Sequence, residues 1–196
     1  IVADAFRERE RYEALAAVHD DLLATIEEGL PPESERPTAV MIAAHDIESI
    51  YAYTLSNPGF LTSHTRPLGP QDAFEGSVDS GTIVDFETML EADPDVILYL
   101  GGFEPGTDMA GRRAAFEEDP VGSEITAIKN DRMHPQGARY QGPVLNLFQL
   151  EMTAKQLYPD EFGAWPRYEE GPYPEIPEAE RLFDRQRVAD AINGDP

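Results

Sequence analysis

Apolar positions along the chain change between helix-like and strand-like spacing, with turn residues between the segments. Residues 1–28 carry apolar side chains on one helical stripe, with Arg and Glu between them, and Gly29 ends the segment. Residues 38–44 (TAVMIAA) and 96–100 (VILYL) are short continuous apolar runs, which indicates buried strands. A third strand is predicted at residues 132–135. Strands of this kind, separated by helices, favour a parallel sheet.

Proline and glycine mark the ends of the predicted helices. A short helix is predicted at residues 86–92, and Asp93-Pro94 stops it because proline disfavours helical geometry in the residue before it. Further helices are predicted around residues 60–69 and at 108–117, 121–128, 141–158 and 178–192. The element order predicts an α/β fold: a three-layer α/β/α lobe with a mainly parallel sheet, preceded by a long helix.

The charge balance is strongly acidic, with 38 acidic against 15 basic residues and a formal net charge of -23. Such a surface repels nucleic acid and anionic lipid, so neither is expected as a partner. The acidic residues are dispersed, and Lys129 and Lys155 are the only lysines. This composition is typical of halophilic archaea that keep molar salt in the cell. The alternative, a cationic partner, would concentrate the charge in one region.

The sequence carries few signals for targeting or for redox chemistry. The sequence has no cysteine, which excludes disulfides, thiol nucleophiles and thiolate metal sites. No apolar run approaches the roughly 20 residues that span a bilayer, so direct membrane insertion is not expected. The chain opens at Ile1 without methionine and without a signal peptide. We therefore expect a fragment whose targeting segment, and any lipid anchor in it, has been removed.

One segment carries a more specific signal. Residues 84–98 read VDFETMLEADPDVIL, with Glu87 seven residues before Pro94. This resembles the pattern E-x-x-x-x-x-x-P-D-x-I of the ABC-importer substrate-binding proteins that carry ferric siderophores, haem and cobalamin. In that family the glutamate lies at the tip of a lobe and docks on an arginine of the membrane permease. Alternatively, Glu87 simply favours the first turn of a helix, where the dipole attracts carboxylates.

A second resemblance lies nearer the C-terminus. Residues 128–162 contain IKNDRM and AKQLYPDEF. They resemble the closing segment of the same family, A-x-K-N-x-R-V before the last strand and A-K-x-L-Y-P-D-x-F at the end of a helix. The resemblance covers residues 1–165 and implies that residues 1–30 are the end of a helix joining two lobes, and that residues 31–165 are the C-terminal lobe. Residues 166–196 lie outside it, as a Pro-rich tail with a terminal helix that wraps a surface.

The family binds its ligand in the cleft between lobes, against loops at the carboxyl ends of the strands, as open α/β sheets generally do. Here those loops are residues 45–53, 101–107 and 135–141. The resemblance implies that Arg139 and Tyr140 face the cleft. His45, Tyr51, Phe103 and Gln141 are further candidates. Rings would cover the apolar flank of a ferric siderophore, and a guanidinium would meet its oxygens. Alternatively, Tyr140 packs in the core and Arg139 forms a surface ion pair.

Other chemistry finds no support in the sequence. None of the four histidines is paired at i, i+4 and no H-E-x-x-H occurs, so no direct metal ligation is expected. No nucleotide-binding glycine motif, P-loop or G-x-S-x-G is present, and no catalytic residue is predicted. The resemblance implies a non-enzymatic, extracytoplasmic, cell-surface protein that binds a ferric siderophore, has no cofactor of its own and has an ABC permease as partner. Cobalamin or haem as cargo, or a self-standing α/β enzyme or cofactor-binding domain, are the alternatives.

Overall fold

The structure, a computed structural model, describes residues 8–44, 49–56, 59, 61–104, 106–137, 142–169, 171 and 173–194. Its helices are α1 (Arg9–Gly29), α2 (Phe86–Ala92), α3 (Met109–Glu118), α4 (Thr126–Lys129), α5 (Pro143–Leu157), α6 (Pro159–Phe162) and α7 (Arg185–Asn193). Its strands are β1 (Thr38–Ala44), β2 (Ile50–Tyr53), β3 (Gln71–Asp72), β4 (Thr82–Val84), β5 (Val96–Tyr99) and β6 (Met133–Pro135). Short 3-10 turns occur at Glu33–Glu35, Arg66–Leu68, Gly122–Glu124 and Glu178–Glu180.

The six strands form one mixed sheet in the order β4-β2-β1-β5-β6, with β3 paired to the start of β1. The pairs β1–β5, β5–β6 and β1–β3 are parallel, whereas β2 runs antiparallel to both β1 and β4. The three predicted strands are therefore confirmed, as is the mainly parallel sheet. The prediction of a loop through Tyr51 and Tyr53 is wrong, because β2 pairs with a neighbour on both sides.

Helices cover both faces of the sheet, which confirms the predicted three layers. Alternate β1 residues point to opposite sides, as the period of a strand requires. Ala39 and Met41 belong to a core that includes α1, α5 and α7, while Val40 and Ile42 belong to a core that includes α2, α3 and α4.

Local capping explains where several helices begin and end. The Asp85 carboxylate accepts a hydrogen bond from Thr88 N at 2.9 Å and caps α2, which ends at Asp93 in the left-handed conformation (φ 40°). The helix predicted at residues 121–128 is instead a 3-10 turn followed by α4, because Ile125 between them is extended (ψ 131°). The predicted 178–192 helix is likewise shorter, since α7 begins only after its cap, Asp184.

The helix predicted around residues 60–69 is also shorter than expected. Among the described residues of that segment only the 3-10 turn Arg66–Leu68 is helical, and it ends at Gly69 in the left-handed conformation (φ 56°). No helix in the described part of the chain is long and apolar enough to cross a membrane.

The tail after α6 runs along the outer side of α5. Trp165, just before the tail, and Tyr168, Ile176 and Phe183 within it are buried, and Met152 of α5 packs with Trp165 and Ile176. The predicted stripe of α5 (Leu147, Leu150, Ala154, Leu157) is buried as expected. However, every residue from 149 to 157 is buried, because the tail covers the face that the sheet does not. The division of the chain at residues 30 and 165 stays a prediction.

Two charged side chains are enclosed between α5 and the tail. The buried Glu151 carboxylate accepts a hydrogen bond from Leu182 N at 2.6 Å and pairs with Arg185 Nη2 at 2.6 Å. Lys155 Nζ donates to the carbonyl oxygen of Phe162 at 2.5 Å. Burial lowers the pKa of Lys155, and the negative charge of Glu151 opposes that shift. These contacts hold the tail through directional polar bonds as well as apolar packing.

Candidate ligand-binding site

The carboxyl edge of the sheet brings the ends of β1, β5 and β6 together. The Tyr99 hydroxyl donates to Ala44 O at 2.5 Å, which joins the end of β5 to the end of β1. Gly101 N donates to Gly137 O at 3.1 Å, and Gln136 N donates to Tyr99 O at 2.7 Å, which joins β5 to β6. Burial raises the pKa of Tyr99, so its hydroxyl keeps the proton that it donates. The loops predicted to face a ligand therefore start from strand ends that are joined to one another by hydrogen bonds.

A buried polar network lies directly beneath the end of β6. Gln136 Oε1 accepts from Thr153 Oγ1 at 3.1 Å and lies 2.8 Å from His64 Nε2. Gln136 Nε2 donates to Gln156 Oε1 at 2.5 Å, and Gln156 Nε2 donates to Pro135 O at 3.1 Å. All four side chains are buried. A satisfied network of this kind fixes side-chain positions strongly, so it holds the end of β6 against α5.

Gln149 is a polar residue at this edge that sequence reasoning missed. It is 1% exposed, and neither side-chain amide atom has a hydrogen-bond partner within the described chain. The amide lies against Gly137, since a Cβ added there would be 1.6 Å from Gln149 Nε2. Buried polar groups almost always have partners. Gln149 therefore holds an unsatisfied donor and acceptor next to the end of β6.

Phe103 lies in the loop after β5 and packs against the tail. Its ring centroid is 4.3 Å from that of Tyr168 and 5.7 Å from that of Tyr173. A cavity of about 410 Å³ opens beside it. The cavity is lined by Phe103, Glu104, Gly106, Thr107, Asp108, Tyr168 and Gly171. The tail residues of this wall lie outside the family resemblance, and the aromatic density of the tail was the only sequence signal for them.

Tyr51 and Phe103 occupy different parts of the edge. Tyr51 lies on β2, is 38% exposed, and is paired with Ala43 on one side and Ile83 on the other. Strand β1 separates β2 from β5, so about 10 Å lies between the two strands. His45, Arg139, Tyr140 and Gln141 lie outside the described residues. A ligand-binding role for these six residues stays a prediction.

A groove of about 590 Å³ lies between α1 and the start of α5. Its walls are mainly apolar, with Leu15, Ala16 and Leu147 among them, and Tyr12 at its rim is 64% exposed. The start of α5 follows the carboxyl end of β6 along the chain, so the groove opens at the same edge as the Phe103 cavity. No group of three or more His, Asp or Glu side chains within the described ranges could hold a metal ion.

Glu87 is exposed in the first turn of α2, which follows the end of β4. The register pairs Val84 with Ile50 and Ile50 with Ala44, so β4 ends level with the carboxyl end of β1. Hydrogen bonds from the Thr88 hydroxyl and backbone lower the pKa of the capping Asp85 carboxyl. Glu87 thus faces solvent at the edge that carries the candidate ligand loops, and its role in docking stays a prediction.

Comparison with known families settles the class of protein. The model of the periplasmic binding protein family matches residues 1–134 of the 196 in the chain. The chain belongs to the periplasmic binding protein family. The resemblance identified from residues 84–98 and 128–162 is thereby confirmed, and the family is one of binding proteins rather than enzymes. No curated protein matches the chain significantly.

Solved structures of periplasmic binding proteins share this fold at low identity. A possible iron-binding (periplasmic solute-binding) protein from Staphylococcus epidermidis has a TM-score of 0.62 at 16% identity, covering 80% of this chain and 58% of that one. The periplasmic heme-binding protein HutB of Vibrio cholerae has a TM-score of 0.60 at 15% identity, covering 81% and 60%. The triscatecholate siderophore-binding protein FeuA from Bacillus subtilis, complexed with ferri-bacillibactin, has a TM-score of 0.53 at 18% identity, covering 74% and 52%. The chain thus spans a little over half the length of these structures.

Gly102, in the loop after β5, tests how tightly this edge is packed. A Cβ added at Gly102 would lie 2.5 Å from Pro135 Cβ and 2.7 Å from Pro135 Cα, so the end of β6 would have to move. We expect Gly102→Ala to lower the free energy of unfolding by about 1–3 kcal/mol, the usual cost of overpacking. Denaturant unfolding measures this. Gly59→Ala is the control, because no atom of the described residues lies within 4 Å of its added Cβ. Equal unfolding midpoints for the two variants would contradict a tight contact between the loop and β6.

Proposed function

We propose that this chain is the C-terminal lobe of the substrate-binding component of an ABC importer for ferric siderophores. The match of residues 1–134 to the periplasmic binding protein family carries the proposal. The lobe would hold the chelate against the loops at the carboxyl edge, with a second lobe closing over it. Such a protein works outside the cytoplasm, and we propose that it is attached to the cell surface.

An iron chelate is favoured as cargo by the chemistry of the edge and by the similar structures. Those structures include one named as possibly iron-binding, one as heme-binding and one in complex with a ferric siderophore. Phe103 and Tyr168 offer aromatic surface, and the unpaired Gln149 amide lies next to the same edge. Arg139 and Tyr140, in the loop after β6, would add a cation and a ring. Aromatic surface with a few polar groups suits a bulky chelate with an apolar flank.

The partner in this proposal is an ABC permease, and Glu87 would be one point of contact. Glu87 is exposed at the carboxyl edge, so an arginine of the permease can reach it. The net charge of -23 supports a halophilic archaeal source, where molar salt screens charges beyond about 3 Å. An exposed ion pair contributes little under such conditions. Docking would therefore depend on shape as well as on Glu87.

Calorimetric titration of the protein as its gene encodes it, in molar salt, tests the proposal. We expect a ferric hydroxamate siderophore to bind with micromolar or tighter affinity. Arg139→Ala and Tyr140→Ala should each weaken binding about tenfold, because each removes a contact in the cleft. Arg187→Ala is the control, since Arg187 pairs with the exposed Asp21 on α1 and lies outside the candidate site.

The other outcomes separate the cargo from the class of protein. Binding of haem or cobalamin in place of the hydroxamate would support the importer function with a different cargo. Equal affinities for Arg139→Ala, Tyr140→Ala and Arg187→Ala would place the ligand away from the loop after β6. No binding of any of these ligands would contradict the transport function and favour a self-standing α/β enzyme or cofactor-binding domain.

A further inference from the structure

The tail builds one wall of the cavity beside Phe103. Tyr168 and Gly171 of the tail face Phe103, Glu104 and Asp108 of the loop after β5 across a space of about 410 Å³. The family model ends at residue 134, so this wall belongs to a part of the chain that the family match does not include. A cavity of this size has room for a side arm of a ligand.

Buried hydrogen bonds hold this wall in place. Arg113 on α3 is 4% exposed, and its guanidinium donates to Met133 O at 3.1 Å and to Tyr168 O at 3.0 Å. The Tyr173 hydroxyl donates to Phe148 O at 2.8 Å and so ties the tail to α5. The wall is therefore attached to α3, β6 and α5 before any ligand enters.

The chemistry of the cavity favours a cation. Glu104 and Asp108 bring two carboxylates to its lining, and neither forms an ion pair with a described residue. One oxygen of Asp108 accepts a hydrogen bond from Gly111 N at 2.8 Å as the cap of α3. Glu104 is partly buried, and its carboxylate caps no helix in the described part of the chain. The rings of Phe103 and Tyr168 add an apolar, electron-rich surface, which attracts cations. An anionic group would meet two carboxylates here.

In high salt the groups that line the cavity determine which ligand charge is favoured. At molar salt the Debye length is about 3 Å, so the net charge of the protein has little influence on a distant ligand. A carboxylate in direct contact with an ammonium inside a cavity is screened much less. Under these conditions only groups that contact the ligand can select it by its charge. Glu104 lines the cavity and can make such a contact.

We propose that this cavity binds the protonated amine arm of the transported ferric chelate, with Glu104 as the specificity-determining residue and Tyr168 as the aromatic wall. The proposal rests on the function proposed above and narrows it. The cargo is a ferric hydroxamate with a terminal ammonium rather than a tris-anionic ferric catecholate. The iron-bearing core of the chelate lies outside this cavity.

A matched pair of ligands tests this inference. The probes are a linear ferric trihydroxamate with a free terminal ammonium, its N-acetylated form, and a ferric tris-catecholate, each titrated into the gene-encoded protein in molar salt. We expect N-acetylation to weaken binding about tenfold, the scale of one hydrogen bond to a charged group. Glu104→Gln should abolish that difference, and Tyr168→Leu, which removes the phenol ring, should reduce it. Glu118→Gln, at the exposed end of α3, is the control and should preserve the difference.

Each of the other outcomes overturns the inference, and each also shows whether the proposed transport function stands. Equal binding of the two hydroxamates, or an equal effect of Glu104→Gln on both, would remove the cation site while the proposed transport function stands. Tighter binding of the tris-catecholate would also refute the inference and keep an iron chelate as cargo. Failure of all three to bind would refute the inference together with the siderophore function.

Discussion

Replacing Glu151 by alanine should lower the free energy of unfolding by about 3 kcal/mol, the scale for breaking a buried ion pair. The Glu151 carboxylate is fully buried and has two partners from the tail, Leu182 N and Arg185 Nη2, each at 2.6 Å. Its loss leaves the Arg185 guanidinium without its counter-ion, next to the rings of Phe148 and Phe183. Thermal and denaturant unfolding measure the effect, and proteolysis should cut the tail faster in the variant.

A second ion pair between α7 and the body of the protein provides the control. Asp21 and Arg187 lie 2.8 Å apart, but their side chains are 67% and 49% exposed. Removing an exposed pair costs about 0–1 kcal/mol, so Asp21→Ala should leave stability nearly unchanged. Similar losses in the two variants would mean that the burial of Glu151 does not determine how firmly the tail is held.

Stability should fall steeply in acid because of His134. Burial, followed by the positive charges of Arg132 and Arg113, lowers the pKa of His134 to about 3. An unfolded histidine titrates near pH 6.5, so between pH 6.5 and 3 the unfolded state binds a proton that the folded state refuses. Protonation of His134 therefore favours the unfolded state. Stability is unaffected above pH 6.5 and is lost as the pH falls towards 3. At pH 4 the loss from this residue should be roughly 3 kcal/mol.

The variant His134→Gln should flatten the acid side of the stability curve. Its free energy of unfolding, measured by denaturant titration at pH 7 and pH 4, should fall by about 3 kcal/mol less than that of the native chain. His19→Asn, which changes a half-buried histidine on α1, is the control. A native-like acid slope in His134→Gln would show that His134 titrates alike in the folded and unfolded states.

The parts of the fold that were predictable are those with a strong local pattern. Residues 39–44 and 96–100 are apolar throughout because β1 and β5 are covered on both faces, and a single stretch of sequence reveals that. Strands β2, β3 and β4 have two to four residues each, and β2 exists because it pairs with both β1 and β4. Pairing between distant segments leaves no local pattern, so these strands were missed.

The residues of the candidate site likewise divide into those that the sequence predicts and those that it does not. Glu87 follows from a motif and Phe103 from its place in the loop after a predicted strand, and the structure places both at the carboxyl edge. Tyr168 and Gln149 owe their positions to contacts far along the chain, since Tyr168 meets Phe103 and Gln149 meets Gly137. The unpaired amide of Gln149 in particular cannot be read from the sequence, because burial without a partner is a property of the assembled structure.

The enclosure of α5 has a consequence for how the chain folds as it is synthesised. Glu151, Met152 and Lys155 are covered by residues 162–185, which leave the ribosome after α5 does. Until those residues emerge, the outer face of α5 is in water and its buried charges have no tail partners. Folding therefore reaches completion only after the tail has been made.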